Sequence, residues 1–293
     1  MKEILIAGIV GLMALSCKRN DEVSDAYGNF EAEEVLVSAQ TSGTVSWFGP
    51  REGTRLGTGE PVLLIDTVQL ALKKQQLQSG KASIRARLNT LDAQLAAQRV
   101  QQANLEREVE RLEHLVEGDA ATSKQLDDLK GQLAYLEAQI QSLASQKLTV
   151  YAEAETLDIQ IAQVDDQISR SLVKSPLDGV LLSRFRLQGE IVAAGQPLFK
   201  VASLDTLVLR AYISGKQLQM FSEGQKVRVL IDGVGGMDEL SGTVEWISAQ
   251  AEFTPKTIQT REERVSLVYA LKVSVKNDGA LRIGMPGEVR LKD

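Results

Sequence analysis

The sequence predicts an α+β protein: a long antiparallel coiled-coil hairpin inserted into a split β-sandwich and followed by a small β-barrel. Three observations carry that expectation. Two heptad series run one after the other between Val68 and Ile168. The segments flanking them repeat each other at one constant offset. The remainder, Ser203 to Asp293, breaks into short β-rich runs between glycine turns.

Taken in order, the chain opens with Lys2, an apolar run from Ile4 to Leu15, and then Ala14-Leu15-Ser16-Cys17. This resembles a bacterial lipoprotein signal with its lipobox, so Cys17 is the expected lipidation site. About twelve apolar residues are too few to span a bilayer as a retained helix; the alternative is an ordinary uncleaved signal anchor. Cys17 is the sole cysteine, which excludes an internal disulfide and fits a thiol consumed by lipid. Residues 18–32 are expected as a tether, polar and flexible from Lys18 to Tyr27. The chain of 293 residues carries a net charge of −6 and is 25% charged. That acidic balance argues against nucleic acid as a partner.

Residues 33–66 hold strand-like runs, Glu34-Val35-Leu36-Val37-Ser38 and Pro61-Val62-Leu63-Leu64-Ile65, punctuated by Gly43, Gly53, Gly57 and Gly59. Residues 171–203 repeat them. Gly43, Gly53, Gly59 and Pro61 correspond to Gly179, Gly189, Gly195 and Pro197 without a gap, and Val37, Val45, Val62 and Ile65 correspond to Val173, Leu181, Leu198 and Val201. A gapless internal repeat predicts one small β-sandwich of two quasi-symmetric halves that bury their apolar faces against each other. The arrangement resembles a lipoyl or biotinyl domain interrupted by an insertion. Such domains bear a modified lysine on the tight turn of one half; here Ile65-Asp66-Thr67-Val68 offers none, so no cofactor is expected.

The insertion, residues 67–170, is the hairpin. Leu70, Leu77, Ile84, Leu91, Leu105 and Leu112 recur every seven positions, with Gln98 in the polar slot. Leu88, Leu95, Val109 and Val116 sit four residues on, which completes a coiled-coil seam. The second series runs through Leu126, Leu133, Ile140, Ala154, Ile161 and Ile168, interrupted by Lys147, beside Leu129, Leu136, Leu143, Val150, Leu157 and Val164. Between the series, Thr122 and Gln125 have capping-box spacing and Gly118 marks a helix end, so the chain turns back there. Two helices of about fifty residues reach roughly 75 Å.

From residue 204 onward the runs Thr206 to Ile213, Gln225 to Ile231, Leu240 to Ala249, Val265 to Val275 and Gly287 to Leu291 read as strands of a small barrel. Glu252 to Arg264 reads as a long polar loop between two of them.

No active site is legible. His114 is the sole histidine and lies near the hairpin end, so no Ser-His-Asp arrangement is available. Asp127-Asp128 and Asp165-Asp166 are neighbours on a helix and point apart, so no metal site is expected. Gly233-Val234-Gly235-Gly236 lacks the lysine and helix of a phosphate loop.

The order of parts (lipid anchor, half sandwich, α-hairpin, half sandwich, barrel) resembles the periplasmic adaptor, or membrane-fusion protein, family of bacterial tripartite exporters. The resemblance covers nearly the whole mature chain. Its most specific pieces are the split repeat, Ser175-Pro176-Leu177-Asp178-Gly179-Val180, and Glu252-Phe253-Thr254-Pro255-Lys256. The last is similar to the branch that works with ABC-type transporters, and a chain stopping at Asp293 after the barrel favours that branch over the proton-driven one. The resemblance implies a non-enzymatic adaptor, anchored by lipid to the inner membrane and lying in the periplasm. It would join an inner-membrane transporter to an outer-membrane channel as a ring, of six copies by analogy. It implies that Arg111, Leu115 and Thr122 contact the channel, and that the loop with Phe253, Pro255, Lys256 and Arg261 faces the transporter. The residues give independent reason to notice Leu115: Leu112 and Val116 already fill the seam, so Leu115 lies beside it. The rival reading is a lipid-anchored envelope tether or scaffold with no transport role.

Overall fold

The computed structural model describes residues 24–233, 235–253 and 267–291. Cys17, Pro255, Lys256 and Arg261 lie outside them. The first strand, β1 (Ala26–Glu31), belongs to the barrel and is treated with it below.

The sandwich takes β2 (Glu34–Ser38), β3 (Gly43–Phe48), β4 (Arg55–Leu56) and β5 (Pro61–Ile65) from one half, and β6 (Leu172–Lys174), β7 (Gly179–Arg184), β8 (Ile191–Val192) and β9 (Pro197–Ala202) from the other. One sheet runs β2-β9-β7-β4 and the second β6-β5-β3-β8, so each sheet takes two strands from each half. Exchanging the halves turns one order into the other, which is a quasi-two-fold axis written in topology. The apolar pairs read from the repeat meet in the core: Val45, Leu181, Val62, Leu198, Ile65 and Val201 are all fully buried. Neither half could bury these side chains alone, because each sheet lacks half its strands without the other.

The insertion leaves from β5 and returns into β6 as α1 (Val68–Glu117) and α2 (Ser123–Ser171). Asp66 starts α1, its Oδ1 accepting the Val68 N–H over 2.8 Å. The heptad positions form the interface: Leu91, Leu95, Val109, Leu136, Val150 and Val164 are buried, and the other seam residues are half-buried. Register is fixed by ion pairs between the helices. Lys74 meets Asp165 over 2.6 Å and Lys81 meets Asp158, seven residues up one helix and seven down the other. Arg87 with Glu153, Lys147 with Asp92, and Lys130 with Glu113 continue the series toward the turn. Lys147, the interruption in the apolar row, is thereby a register device.

The barrel comprises β10 (Thr206–Ser214), β11 (Lys226–Gly233), β12 (Gly236–Ile247), β14 (Leu267–Lys276) and β15 (Pro286–Leu291), with β13 (Glu252–Phe253) pairing outside β14. These strands close only through β1. It pairs antiparallel with β10 on one side, Tyr27 opposite Tyr212, and with β15 on the other, Ala26 opposite Val289. A third contact, β10 with β14, completes the ring of six. This corrects the expected tether over residues 26–31, which form a strand. Ala26 and Phe30 are fully buried in the barrel core, and two flanking strands satisfy the β1 backbone. The barrel is therefore built from both sides of the sandwich.

Candidate functional site

The far end of the hairpin is formed by the last turn of α1, residues 118–122 and the first turn of α2. Thr122 is the N-cap of α2: its hydroxyl oxygen accepts the Gln125 N–H, and Gln125 Oε1 accepts the Thr122 N–H over 3.0 Å. The expected capping box is present. The turn itself differs from the expectation at Gly118. That glycine has an ordinary φ of −90°, and Asp119 takes the left-handed conformation, φ 58°. Aspartate tolerates this region better than most residues because its side chain is short and polar. The N–H groups of Gly118, Asp119 and Ala120 donate to the carbonyls of His114, Val116 and Leu115, so three of the last four carbonyls of α1 are satisfied within the turn.

Leu112, Val116, Leu126 and Leu129 are half-buried in the last layers of the seam. Leu115 lies outside it with 43% of its surface exposed. Arg111 is one turn earlier on the same helix, its side chain 66% exposed and paired with Glu108. Thr122 is exposed at the opposite side of the turn. The three residues thus share one end of the molecule, presenting an apolar side chain, a cation and a hydroxyl. His114 lies 3.6 Å from Glu117, and its side chain is exposed. Binding is what such a surface can do, because a helix end with exposed Leu and Arg suits docking on another helical surface.

At the other end of the chain, Phe253 sits in β13 opposite Leu267. Its neighbour Glu252 is held by a two-pronged contact with Arg210, at 3.1 and 3.2 Å. The polar stretch after β13 therefore starts from a fixed point on the barrel. Among the described residues no cluster of His, Cys, Asp and Glu could hold a metal ion, and no helix is long and apolar enough to cross a membrane. Sequence reasoning missed a surface cavity of about 570 Å³ on the barrel, lined by Tyr27, Tyr212, Met237 and Pro286. It exists because β1 lies beside β10 and β15, and no local pattern in residues 24–31 announces that.

No protein-family model matches the chain. A UPF0194 membrane protein from Yersinia pseudotuberculosis is 26% identical, aligned over 99% of this chain and 98% of its own length. Among solved structures, MacA from Actinobacillus actinomycetemcomitans matches with a TM-score of 0.58 at 19% identity, covering 91% of this chain and 78% of that one. A membrane fusion protein from Streptococcus pneumoniae matches with a TM-score of 0.56 at 15% identity, covering 91% of this chain and 98% of that one. At such identities the likeness speaks for the fold, and the fold, hairpin and split sandwich included, is that of the membrane fusion, or periplasmic adaptor, proteins.

Proposed function

We propose that the protein is a periplasmic adaptor subunit that links an inner-membrane transporter to an outer-membrane channel. The observation that carries this reading is the pairing of reach with an unpartnered tip. Two helices of 50 and 49 residues, roughly 75 Å long, end in an exposed Leu115 beside Arg111 and Thr122. A hairpin this long, whose seam leaves its tip leucine uncovered, is built to touch something distant. One hairpin cannot enclose a conduit, so the functional unit is a ring of copies, six by analogy with the fold's relatives.

Cys17 carries the lipid and holds the protein at the inner membrane. Ser24, the first described position, lies seven steps along the chain from it, a span of at most about 25 Å. With β1 in the barrel, the anchor tethers the barrel itself to the membrane surface and the hairpin projects away from it. The segment with Phe253, Pro255, Lys256 and Arg261, which is similar to the ABC-associated branch, faces the transporter, and an ABC-type partner is the one favoured.

The test is in-cell cysteine crosslinking from position 115, in a variant where Leu115→Cys supplies the added thiol, with captured proteins identified by mass spectrometry. An outer-membrane channel in the captured set is the expected result. Capture of nothing but the protein itself, at normal protein levels, would remove the adaptor reading in favour of the envelope tether.

A further inference from the structure

Strand alternation sorts the barrel residues into inner and outer faces. On β11, Val227, Val229 and Ile231 point into the core, so Lys226, Arg228, Leu230 and Asp232 face out. On β14 the same rule turns Lys272 and Lys276 outward. The outer wall is basic at these positions and reverses its character at the cavity of about 570 Å³ beside β1. Register explains the reversal. Tyr212 stands opposite Tyr27, Tyr27 opposite Glu288, and Glu288 opposite Leu230. Four outward side chains thus form one row, roughly 15 Å long at about 4.8 Å per strand. One row further on, Asp232 stands opposite Met237. Tyr27 is 51% and Met237 45% exposed, whereas Leu230, which also faces out, is only 6% exposed and forms the floor of the cavity.

We propose that this groove binds an apolar organic cation, a quaternary or protonated amine carried on an aromatic or alkyl body. The proposal goes beyond the adaptor reading and stands or falls without it. The volume lies within the range of about 300–1,000 Å³ that takes drug-sized molecules. The walls, Tyr27, Tyr212, Leu230, Met237 and Pro286, offer apolar and aromatic surface, from which a hydrated metal ion would gain nothing.

The charge of the groove selects the sign of the ligand. Among the described residues that line it, the charged ones are Asp232 and Glu288, both acidic. The Asp232 side chain is exposed and has no hydrogen-bond or ion-pair partner among the described residues. Glu288 accepts the Ser24 hydroxyl over 2.5 Å, a neutral donor that leaves the carboxylate charge in place. The bases nearest along the strands are turned to other groups. Arg210 is held by Glu252 through two contacts, and Arg290 directs its Nε to the Ser24 hydroxyl over 3.0 Å.

Aromatic faces add to this attraction, since the ring quadrupole draws a cation to within about 6 Å of the centroid. The protein already uses Tyr212 in that way, with the Arg210 guanidinium 5.9 Å from its ring centroid. Tyr27, directly opposite and half exposed, has no such cation over it among the described residues. A cation in the groove would meet that ring with a carboxylate one strand away. A neutral apolar molecule would use the walls alone, and an anion would be repelled.

The experiment irradiates the full membrane-associated chain with (4-benzoylbenzyl)trimethylammonium. Its excited carbonyl takes hydrogen from a nearby C–H group and bonds to the carbon left behind. Two probes with the same core serve for comparison: 4-methylbenzophenone lacks the charge and 4-benzoylbenzoate reverses it. Peptide mass spectrometry locates the label. Saturable labelling of Met237 or Leu230 by the cation is expected, with weaker labelling by the neutral probe and least by the anion. Tyr27→Leu keeps apolar bulk while removing the ring face, and is expected to raise the half-saturating concentration about three- to tenfold. Asp232→Asn combined with Glu288→Gln is expected to raise it about two- to tenfold. Unchanged thermal unfolding confirms that each variant folds. Equal saturation by the neutral probe would overturn the cation site and leave an apolar patch. Preference for the anion, or labelling that neither variant alters, would overturn it too. Labelling that occurs only after dilution in detergent to the monomer would overturn it in favour of a contact between copies.

Discussion

The backbone N–H of Gly53 donates to the carbonyl of Leu181 over 2.8 Å, and Gly189 donates to Val45 over the same distance. Each bond crosses from one half of the sandwich to the other, and each is the image of its partner under the internal repeat. Gly59 to Ser175 and Gly195 to Ala39 form a second such pair, both at 2.8 Å. The duplication visible as spaced glycines is therefore a duplication of hydrogen bonds, and the halves are held by reciprocal contacts.

The two glycines should respond alike to substitution. Gly53 and Gly189 have φ of 85° and 91°, and a Cβ at either would meet open space. Gly53→Ala and Gly189→Ala are each expected to cost about 1–2 kcal/mol, from backbone strain alone. Thermal unfolding would check the equality, and a large difference between the two would contradict the symmetry.

Phe30 decides whether the barrel needs β1. Its side chain is fully buried among barrel residues although it lies in the stretch before the sandwich. Phe30→Ala is expected to destabilise the barrel by about 3–5 kcal/mol. Proteolysis should then cleave the barrel strands while the hairpin stays helical. Resistance equal to that of the parent protein would mean that β1 is dispensable.

Seam and tip leucines should separate cleanly. Leu95 is buried between the helices and Leu115 is not. Leu95→Ala is expected to cost about 2–5 kcal/mol in urea unfolding. Leu115→Ala should stay within about 0.5 kcal/mol of the parent while weakening, short of abolishing, co-purification of the outer-membrane partner, a readout that needs no thiol at the tip.

Thr122 has two roles to be told apart. Losing the cap in Thr122→Ala is expected to cost about 1 kcal/mol, and Thr122→Ser should keep the cap. Thr122→Ser that folds normally but fails to capture the partner would show the methyl group acting in contact rather than in capping.

The Lys147 to Asp92 pair gives an alkaline signature. Its hydrogen bond to Asp92 holds the Lys147 ammonium above the ordinary value of 10.5, against a smaller opposing effect of desolvation. A raised value stabilises the folded form fully below about pH 10.5, and that stabilisation fades as pH climbs through the folded-state value. Asp92→Asn should therefore lose hairpin stability below pH 10 and show a flatter decline above it. An alkaline melt followed at 222 nm would read this, and identical profiles would dismiss the pair.

The tip is legible in the residues themselves, because capping and seam exclusion are local. Thr122 and Gln125 declare the cap by a spacing of three, and Leu115 is set aside by Leu112 and Val116 on the same turn of helix. Asp119 is not legible as the left-handed residue, since a glycine one position earlier is the better local candidate and the choice falls to how the two helices meet.

The sequence alone determined the hairpin, its turn and the two-fold sandwich, because heptads, caps and a gapless repeat are short-period patterns that any chain segment expresses by itself. Only the tertiary structure decided that residues 26–31 are a barrel strand, which ion pairs set the helix register, and which helix faces stay uncovered. Those outcomes depend on partners far away in the chain, such as Tyr27 opposite Tyr212 and Lys74 beside Asp165. A six-residue strand of ordinary composition carries no mark of a neighbour that far off. It is selected by the two open edges that it closes.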